Sequence, residues 1–174
     1  MKKITKQQII ELAIQFNIEP RALDAVIQVE CSGSGFESTG DLKIQFEPHY
    51  FKRFTGKVIE NGVSGPKKEW DAYNKAKAID WEAALKSTSW GMGQIMGSNY
   101  KLAGYDSVAD MINDFKTGEV AQVKGMLNFI VNTKLLKHIQ SKNWALFAKG
   151  YNGPSYLKFK YDTRLQEAYL KSKI

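Results

Sequence analysis

One short segment, residues 20–36 (PRALDAVIQVECSGSGF), constrains the fold more than any other part of the chain. It predicts a helix that begins at Pro20, because proline suits the first helical position, where its missing N–H costs nothing. Val26 and Ile27 lie on one apolar stripe of this helix, which must therefore face a core. The helix then ends in the run 32–35 (SGSG), which favours a turn.

Glu30 lies on the same stripe, one turn beyond Val26 and Ile27, at the end of the predicted helix. Burial of a carboxyl group favours its neutral form and raises its pKa, and the negative end of the helix dipole opposes ionisation further. A carboxylic acid that keeps its proton near neutral pH can act as the general acid in glycosidic bond cleavage. The alternative is that Glu30 only ends a frayed helix in water, since glutamate is rarely buried.

Length and charge limit the classes of function. The chain has 174 residues, of which 43% are hydrophobic, and this predicts a single domain with a substantial core. The net charge of +7 predicts attraction to a polyanion, which can be a nucleic acid, an anionic membrane face or a bacterial wall polymer. The lysines are scattered and form no compact basic block with interleaved aromatic residues, so nucleic-acid binding rests on charge alone.

The single cysteine excludes a disulfide framework and, with only two histidines, leaves no recognisable zinc-site spacing. We therefore expect neither a metal nor a cofactor. Cys31 follows Glu30 directly, so a nucleophilic thiol paired with His49 or His138 is an alternative. A free cysteine is more often a small buried residue that fills space.

The amino-terminal segment begins with lysines but lacks the continuous apolar core of a signal peptide. Thr5 and Gln8 predict a capping box at the start of an amphipathic helix over about residues 5–16. No stretch approaches the length of a transmembrane span.

The pattern changes to a strand after the turn. Leu42, Ile44 and Phe46 alternate with polar residues, which predicts a half-buried strand over residues 41–47 and a small hairpin with the residues near Phe36. Glu47 lies on the polar side of this strand, where it faces either a cleft or solvent.

The remainder is predicted to be mainly helical, with a surface loop over 55–68 and a central bundle helix from Thr117. Capping residues predict helix starts at Asp80, Ser107, Asn143 and Asp162. The run 87–97 (STSWGMGQIMG) fits no clean helix or strand and predicts a buried turn where backbone and ligand come close. The run 150–154 (GYNGP) predicts a loop that carries an aromatic ring and an amide.

Five blocks, in order along nearly the whole chain, resemble the N-acetylmuramidase domain of bacteriophage endolysins, within the lysozyme-like superfamily. They are residues 25–30 (AVIQVE), 44–49 (IQFEPH), 89–97 (SWGMGQIMG), 148–154 (AKGYNGP) and 161–163 (YDT). The resemblance implies a lysozyme-like α+β fold, mainly α-helical, with a small antiparallel sheet beside a helical bundle. It also implies one catalytic domain over residues 1–174. Many family members carry a cell-wall-binding domain as well, and we expect no separate one here, because this chain has no room for it.

The resemblance implies that Glu30 is the catalytic glutamate and that Ser89, Gln94, Tyr151 and Asn152 line the sugar cleft. Without the resemblance, Tyr151 is interpreted as a core residue, because it continues an apolar helix face. Gln94 and Asn152 are then interpreted as amides that only satisfy buried backbone groups. The resemblance favours sugar binding by amide hydrogen bonds and aromatic contact instead.

Family members usually have serine after the catalytic glutamate, where this chain has Cys31. The substitution keeps a small side chain but weakens a hydrogen bond.

The implied reaction is hydrolysis of the β-1,4 bond between N-acetylmuramic acid and N-acetylglucosamine in bacterial peptidoglycan. Glu30 would protonate the leaving oxygen, and a second carboxylate would activate water or stabilise an oxocarbenium-like transition state. Glu47 is the first candidate for this carboxylate and Asp41 the second. The alternative for each is an exposed charge at the end of a strand.

Two other functions stay open: a lytic transglycosylase, which uses the same glutamate without water, and a non-catalytic wall-binding or structural module. We expect a monomer whose partner is peptidoglycan rather than nucleic acid, with the basic surface adding affinity for an anionic envelope. Because no signal peptide is predicted, we expect the protein to stay in the host cytoplasm until a holin opens the membrane.

Overall fold

The structure, a computed structural model, describes residues 3–31, 33–60 and 65–174. Ser32 in the predicted turn and residues 61–64 in the predicted loop lie outside these described residues. The described part is mainly helical with one small sheet, which confirms the predicted α+β class. The α-helices are α1 (Lys6–Gln15), α2 (Pro20–Glu30), α3 (Pro48–Thr55), α4 (Pro66–Ile79), α5 (Trp81–Lys86), α6 (Val108–Phe115), α7 (Glu119–Asn132), α8 (Leu136–Gln140), α9 (Trp144–Asn152) and α10 (Tyr161–Lys171).

The sheet has three antiparallel strands in the order β1 (Ile44–Phe46), β2 (Thr88–Trp90) and β3 (Ile95–Met96). Ile44, Trp90 and Ile95 pair across the sheet and are buried. Ser89 pairs with Gln45 on one side and Met96 on the other. Because successive residues of a strand point to opposite faces, the sheet has a core face that carries Trp90 and an open face that carries Ser89.

The predicted strand is confirmed over Ile44–Phe46, and the predicted hairpin is reduced to one antiparallel bridge between Phe36 and Leu42. The prediction of neither helix nor strand over 87–97 is wrong for Thr88–Trp90 and Ile95–Met96, which form β2 and β3, whereas the predicted buried turn lies between them at residues 91–94. Gly91 has a left-handed φ of 71° in this turn, and Gly97 serves close packing. A Cβ atom at Gly97 would collide with the main-chain carbonyl of Leu85.

Helix α2 begins at Pro20 and ends at Glu30, as predicted. Leu23 and Val26 are fully buried, because α2 packs between α1 and α10. Methylene and methyl groups removed from water in this way stabilise the fold by about 1.5–3 kcal/mol per large side chain. The position of Glu30 is therefore fixed by burial of the stripe that precedes it.

Helix α10 runs antiparallel to α2. The Arg21 guanidinium donates a hydrogen bond to the Tyr169 carbonyl oxygen (3.2 Å) and lies 5.0 Å from the Tyr169 ring centroid. At the opposite end of the pair, Arg164 donates to the carbonyl oxygen of Val29 (3.5 Å). These contacts bring the first turn of α10 beside Glu30.

The predicted capping box of Thr5 with Gln8 is confirmed, and so are the predicted helix starts at Asp80, Ser107 and Asn143. The predicted cap at Asp162 is wrong, because α10 begins at Tyr161 and Asp162 lies in its first turn, where a negative charge suits the helix dipole. The sequence analysis did not predict α3 and α8. None of the described helices combines the length and apolar character needed to cross a membrane.

Candidate active site

Glu30 is half-buried at the carboxyl end of α2. Burial raises the pKa of its carboxyl group to about 7, although the Asn152 amide and the charge of Arg164 oppose the increase. A large share of the molecules therefore carries a protonated Glu30 at neutral pH. Such a group can donate a proton to a leaving oxygen.

Asn152 lies beside Glu30, and its side-chain nitrogen donates a hydrogen bond to Glu30 Oε1 at 2.9 Å. The two residues are 122 positions apart, so the contact depends on how α9 packs against the end of α2. An N–H donor favours the charged form of a carboxylate and also fixes its orientation. Asn152 therefore both tunes and aims the Glu30 carboxyl group.

The prediction that 150–154 forms a loop is wrong for its first three residues, because Gly150, Tyr151 and Asn152 form the last turn of α9. Gly150 favours close packing rather than a turn, since a Cβ atom there would displace the Leu135 side chain. The helix ends instead at Gly153, whose φ of 76° is left-handed.

Tyr151 packs into the core beneath this site. Its ring stacks on Phe147 at a centroid distance of 5.5 Å and meets the Phe129 ring edge-to-face at 6.0 Å. Its hydroxyl donates to the Gly93 carbonyl oxygen at 3.1 Å, and burial raises its pKa. These contacts favour a structural role that joins α9 to the β2–β3 turn, and the predicted sugar contact of Tyr151 stays a prediction.

Gln94 and Ser89 lie on the β2–β3 hairpin. The Gln94 amide donates to the Gly91 carbonyl oxygen at 2.7 Å and so holds the turn closed. Ser89 is half-buried on the open face of the sheet, and its hydroxyl lies 3.5 Å from the sulfur of Met96. The open face can present both residues to a glycan, and their predicted binding roles stay predictions.

Glu47 precedes α3 directly and is half-buried. Burial raises the pKa of its carboxyl group, with a further contribution from the charge of Glu69, whereas His49 and a hydrogen bond from Gln45 oppose the increase. The Gln45 amide donates to Glu47 Oε1 at 3.0 Å, and His49 Nδ1 lies 3.5 Å from Oε2. Glu47 is thus partly removed from water and held in place by its neighbours. Both properties suit a general base that activates a water molecule.

Asp41 is exposed and accepts a hydrogen bond from the Thr39 hydroxyl at 2.8 Å. This contact closes the turn between Phe36 and Leu42. The structural role of Asp41 in the turn makes it the weaker candidate for the second carboxylate.

Cys31 is buried directly after Glu30, and burial raises the pKa of its thiol to about 12. The thiolate that a nucleophilic cysteine needs is therefore scarce at neutral pH. The structure favours the alternative in which Cys31 fills space in the core.

Two buried polar residues of α7, Glu119 and Gln122, fix the site from below, and neither is among the residues predicted from the sequence. Glu119 Oε1 accepts hydrogen bonds from the Ser34 hydroxyl (3.0 Å) and the Gly35 N–H (3.1 Å), just after the catalytic candidate. Gln122 Oε1 accepts from the Met92 N–H at 2.8 Å. The sequence signal for these two residues is a charged side chain and an amide side chain at the start of an otherwise apolar helix.

Comparisons with known proteins show the family and the fold of the chain. A family model described as N-acetylmuramidase matches residues 19–173. Among solved structures, the chain is similar to the Burkholderia AP3 phage endolysin, with 29% sequence identity and a TM-score of 0.90. The alignment covers 97% of this chain and 71% of that one, and it confirms the predicted lysozyme-like fold. No curated protein matches the sequence. The family match spans most of the chain, which therefore belongs to the N-acetylmuramidase family.

Proposed function

We propose that this chain hydrolyses the β-1,4 bond between N-acetylmuramic acid and N-acetylglucosamine, with Glu30 as the general acid. Peptidoglycan degradation of the endolysin type follows already from the family and from the similarity to a phage endolysin. The observation that carries the finer proposal is the half-buried Glu30, whose pKa is about 7 and whose carboxyl group is held by Asn152.

In the proposed mechanism, protonated Glu30 donates its proton to the glycosidic oxygen as the bond breaks. The sugar then passes through an oxocarbenium-like transition state. A nearby carboxylate either stabilises this state or activates the water molecule that attacks the sugar. Glu47 is the proposed second carboxylate, because it is partly desolvated and lies next to the open face of the sheet through its bond with Gln45. Ser89, Gln94 and Asn152 are proposed to contact the glycan.

The experiment that tests the reaction is mass spectrometry of the soluble products from purified peptidoglycan. We expect fragments that end in reducible N-acetylmuramic acid, because hydrolysis adds one water to each broken bond. Fragments that end in a 1,6-anhydro ring, lighter by one water, would instead establish transglycosylation. No soluble products from a folded sample would favour a wall-binding module.

Replacement of Asn152 by alanine should move the alkaline limb of the pH–activity profile to higher pH. In the intact protein, activity should fall as pH rises through about 7, because Glu30 loses the proton that it must donate. Asn152 lowers the pKa of Glu30, so its removal raises that pKa and keeps the acid protonated to higher pH. The measurement is kcat/KM against pH for both proteins.

Asn132→Ala is the matched control for this variant, because Asn132 is an exposed residue at the end of α7 and its amide donates to the Leu102 carbonyl oxygen. Its pH profile should equal that of the parent. An Asn152→Ala variant with a higher KM and an unmoved alkaline limb would mean that Asn152 binds sugar without tuning Glu30.

We also propose that the basic surface adds affinity for the anionic envelope and that a holin releases the protein from the host cytoplasm. The net charge of +7 supports the first part, and attraction between exposed charges weakens as salt screens them. Binding of the protein to intact sacculi should therefore decrease as salt is raised, and salt-independent binding would contradict this part of the proposal.

A further inference from the structure

A cavity of about 240 Å³ opens on the core side of the sheet, between α4, α5 and α6. Its walls include four aromatic and two basic side chains: Trp70, Tyr73, Trp81, Trp90, Lys77 and Lys116. Trp90 lines it from the core face of the sheet, whereas Ser89 points to the open face. The cavity is therefore on the other side of the sheet from the proposed catalytic cleft.

We infer that this cavity is a second glycan site, which binds a single sugar residue that carries a carboxylate. The inference rests on the proposed function in that it takes the sugar to be N-acetylmuramic acid of peptidoglycan, at positions where the stem peptide has been removed and the lactyl carboxylate is free and negatively charged. Its volume is below the range of pockets that enclose drug-sized ligands, so one ring fits better than an oligosaccharide.

The aromatic wall is rigid. Tyr73 and Trp90 meet edge-to-face at 5.4 Å, Trp70 and Trp90 do so at 6.2 Å, and Trp70 and Tyr73 at 5.4 Å. The Trp90 indole is fixed further by its hydrogen bond to the Leu85 carbonyl oxygen at 3.0 Å. Tyr73 and Trp90 are buried, so they hold the partly exposed Trp70 ring in place, and a sugar can pack on Trp70 without the entropy cost of ordering its side chain.

Trp81 differs from this cluster because it is exposed at the rim of the cavity, with 56% of its surface accessible. A tryptophan side chain is usually mostly buried, and tryptophan is enriched among the residues that contribute most to binding at interfaces. Its indole offers a flat apolar face for the C–H side of a sugar ring, together with one N–H donor.

The charges of the cavity select an anion. Lys77 and Lys116 line it, and none of the residues described in its wall carries a carboxylate. Neither lysine forms an ion pair within the described part of the chain. The two ammonium groups can bind a carboxylate. The amides of Asn74 and Asn113, which also line the cavity, can bind the hydroxyl and acetamido groups of the same sugar.

The site can be tested by NMR titration of the full chain carrying Glu30→Gln, which prevents cleavage. The probe is the peptide-free tetrasaccharide of alternating N-acetylglucosamine and N-acetylmuramic acid, and the signal is the indole N–H of Trp81, assigned with Trp81→Phe. We expect a saturable shift of this signal. The affinity from the Trp81 signal should be about tenfold weaker in Lys77→Ala, because the lost ammonium no longer binds the carboxylate.

Matched controls lie on the same helix. Lys75→Ala removes an exposed α4 lysine that does not line the cavity, and Ile79→Ala removes an exposed apolar side chain of α4 outside it. Both should leave the Trp81 titration unchanged. The same tetrasaccharide with its carboxylates methyl-esterified, and neutral chitotetraose, should each bind about tenfold more weakly than the acid form.

An absent Trp81 shift would overturn the inference, and equal shifts with the neutral probe would overturn its assignment to a carboxylate. A second measurement separates this site from catalysis. Trp81→Ala should release soluble fragments several-fold more slowly from sacculi in which an amidase has removed part of the stem peptides, and it should still cleave the soluble tetrasaccharide at the parent rate. Loss of tetrasaccharide cleavage would contradict a separate site, whereas failure of the proposed glycosidase function would leave the Trp81 titration intact.

Discussion

Glu30→Gln is expected to lower peptidoglycan turnover by about a thousandfold, within the range for loss of a general acid, while the chain keeps its fold. Glutamine has the size of the protonated glutamic acid and can accept the Asn152 hydrogen bond through its own carbonyl oxygen. It cannot donate a proton to a leaving oxygen. Turnover is measured as soluble fragments released from purified peptidoglycan, and normal turnover in this variant would refute the assignment.

The same variant should be more stable than the parent in alkaline solution. The pKa of Glu30 is raised from 4.5 to about 7 in the folded chain, so its contribution to stability is fully present below pH 4.5 and is lost as pH rises through 7. Glutamine has no charge to desolvate and avoids this loss, which is about 3 kcal/mol at most. Thermal unfolding should therefore give equal midpoints near about pH 4 and a midpoint several degrees higher for the variant above about pH 8.

Glu11→Gln is the control for both measurements, because Glu11 is exposed on α1. It should change neither turnover nor the pH dependence of stability. A Glu30→Gln variant that unfolds at lower temperature at every pH would indicate that the carboxyl group is structural.

Glu47→Gln should lower turnover by about a hundredfold, because the neutral amide can neither activate water nor stabilise positive charge on the sugar. Asp41→Asn is the matched variant, since Asp41 is the other candidate on the same segment and is exposed in a turn. It should retain turnover close to that of the parent. The measurement is the rate of reducing-end release, with product masses recorded for each variant.

The opposite ranking, with Asp41→Asn inactive and Glu47→Gln active, would transfer the role of second carboxylate to Asp41. Full activity of both variants would mean that neither residue takes part. The folded state of each variant can be checked by circular dichroism before the rates are compared.

Local signals in the sequence were sufficient for most helices. Proline at position 20 and the capping side chains of Thr5, Asp80 and Ser107 act within a few residues of the backbone groups that they satisfy, so the sequence alone could place them. The capping prediction failed at Asp162, which shows that a good capping residue is equally acceptable one position inside a helix.

The failures at 87–97 and 150–154 have a different cause. Glycine in both runs predicts irregular backbone, which is correct for Gly91 and Gly153. Gly97 instead lies against the main chain of Leu85, and Gly150 lies against the Leu135 side chain. Contacts of this kind depend on residues far away in the chain, and local propensity carries no information about them.

The same limit applies to the site. The position of Glu30 on an apolar stripe predicted its raised pKa, because the stripe is a local property of one helix and an apolar stripe faces the core. Other parts of the site form only when the fold brings distant segments together. They are the hydrogen bond from Asn152 to Glu30, the hydrogen bond from Gly35 to Glu119 and the aromatic cavity behind the sheet. The family resemblance indicated Asn152 as a site residue without indicating that its partner is Glu30.

The antiparallel pairing of α2 with α10 has a consequence for how the protein is made. The helix that carries Glu30 leaves the ribosome early, whereas Asn152 and the α10 contacts from Arg164 to Tyr169 emerge more than a hundred residues later. Contacts of such long sequence separation form late, after the intervening chain has been ordered. A nascent chain therefore carries a Glu30 that is neither buried nor held by Asn152, and the site that we propose is completed only when the last helices dock.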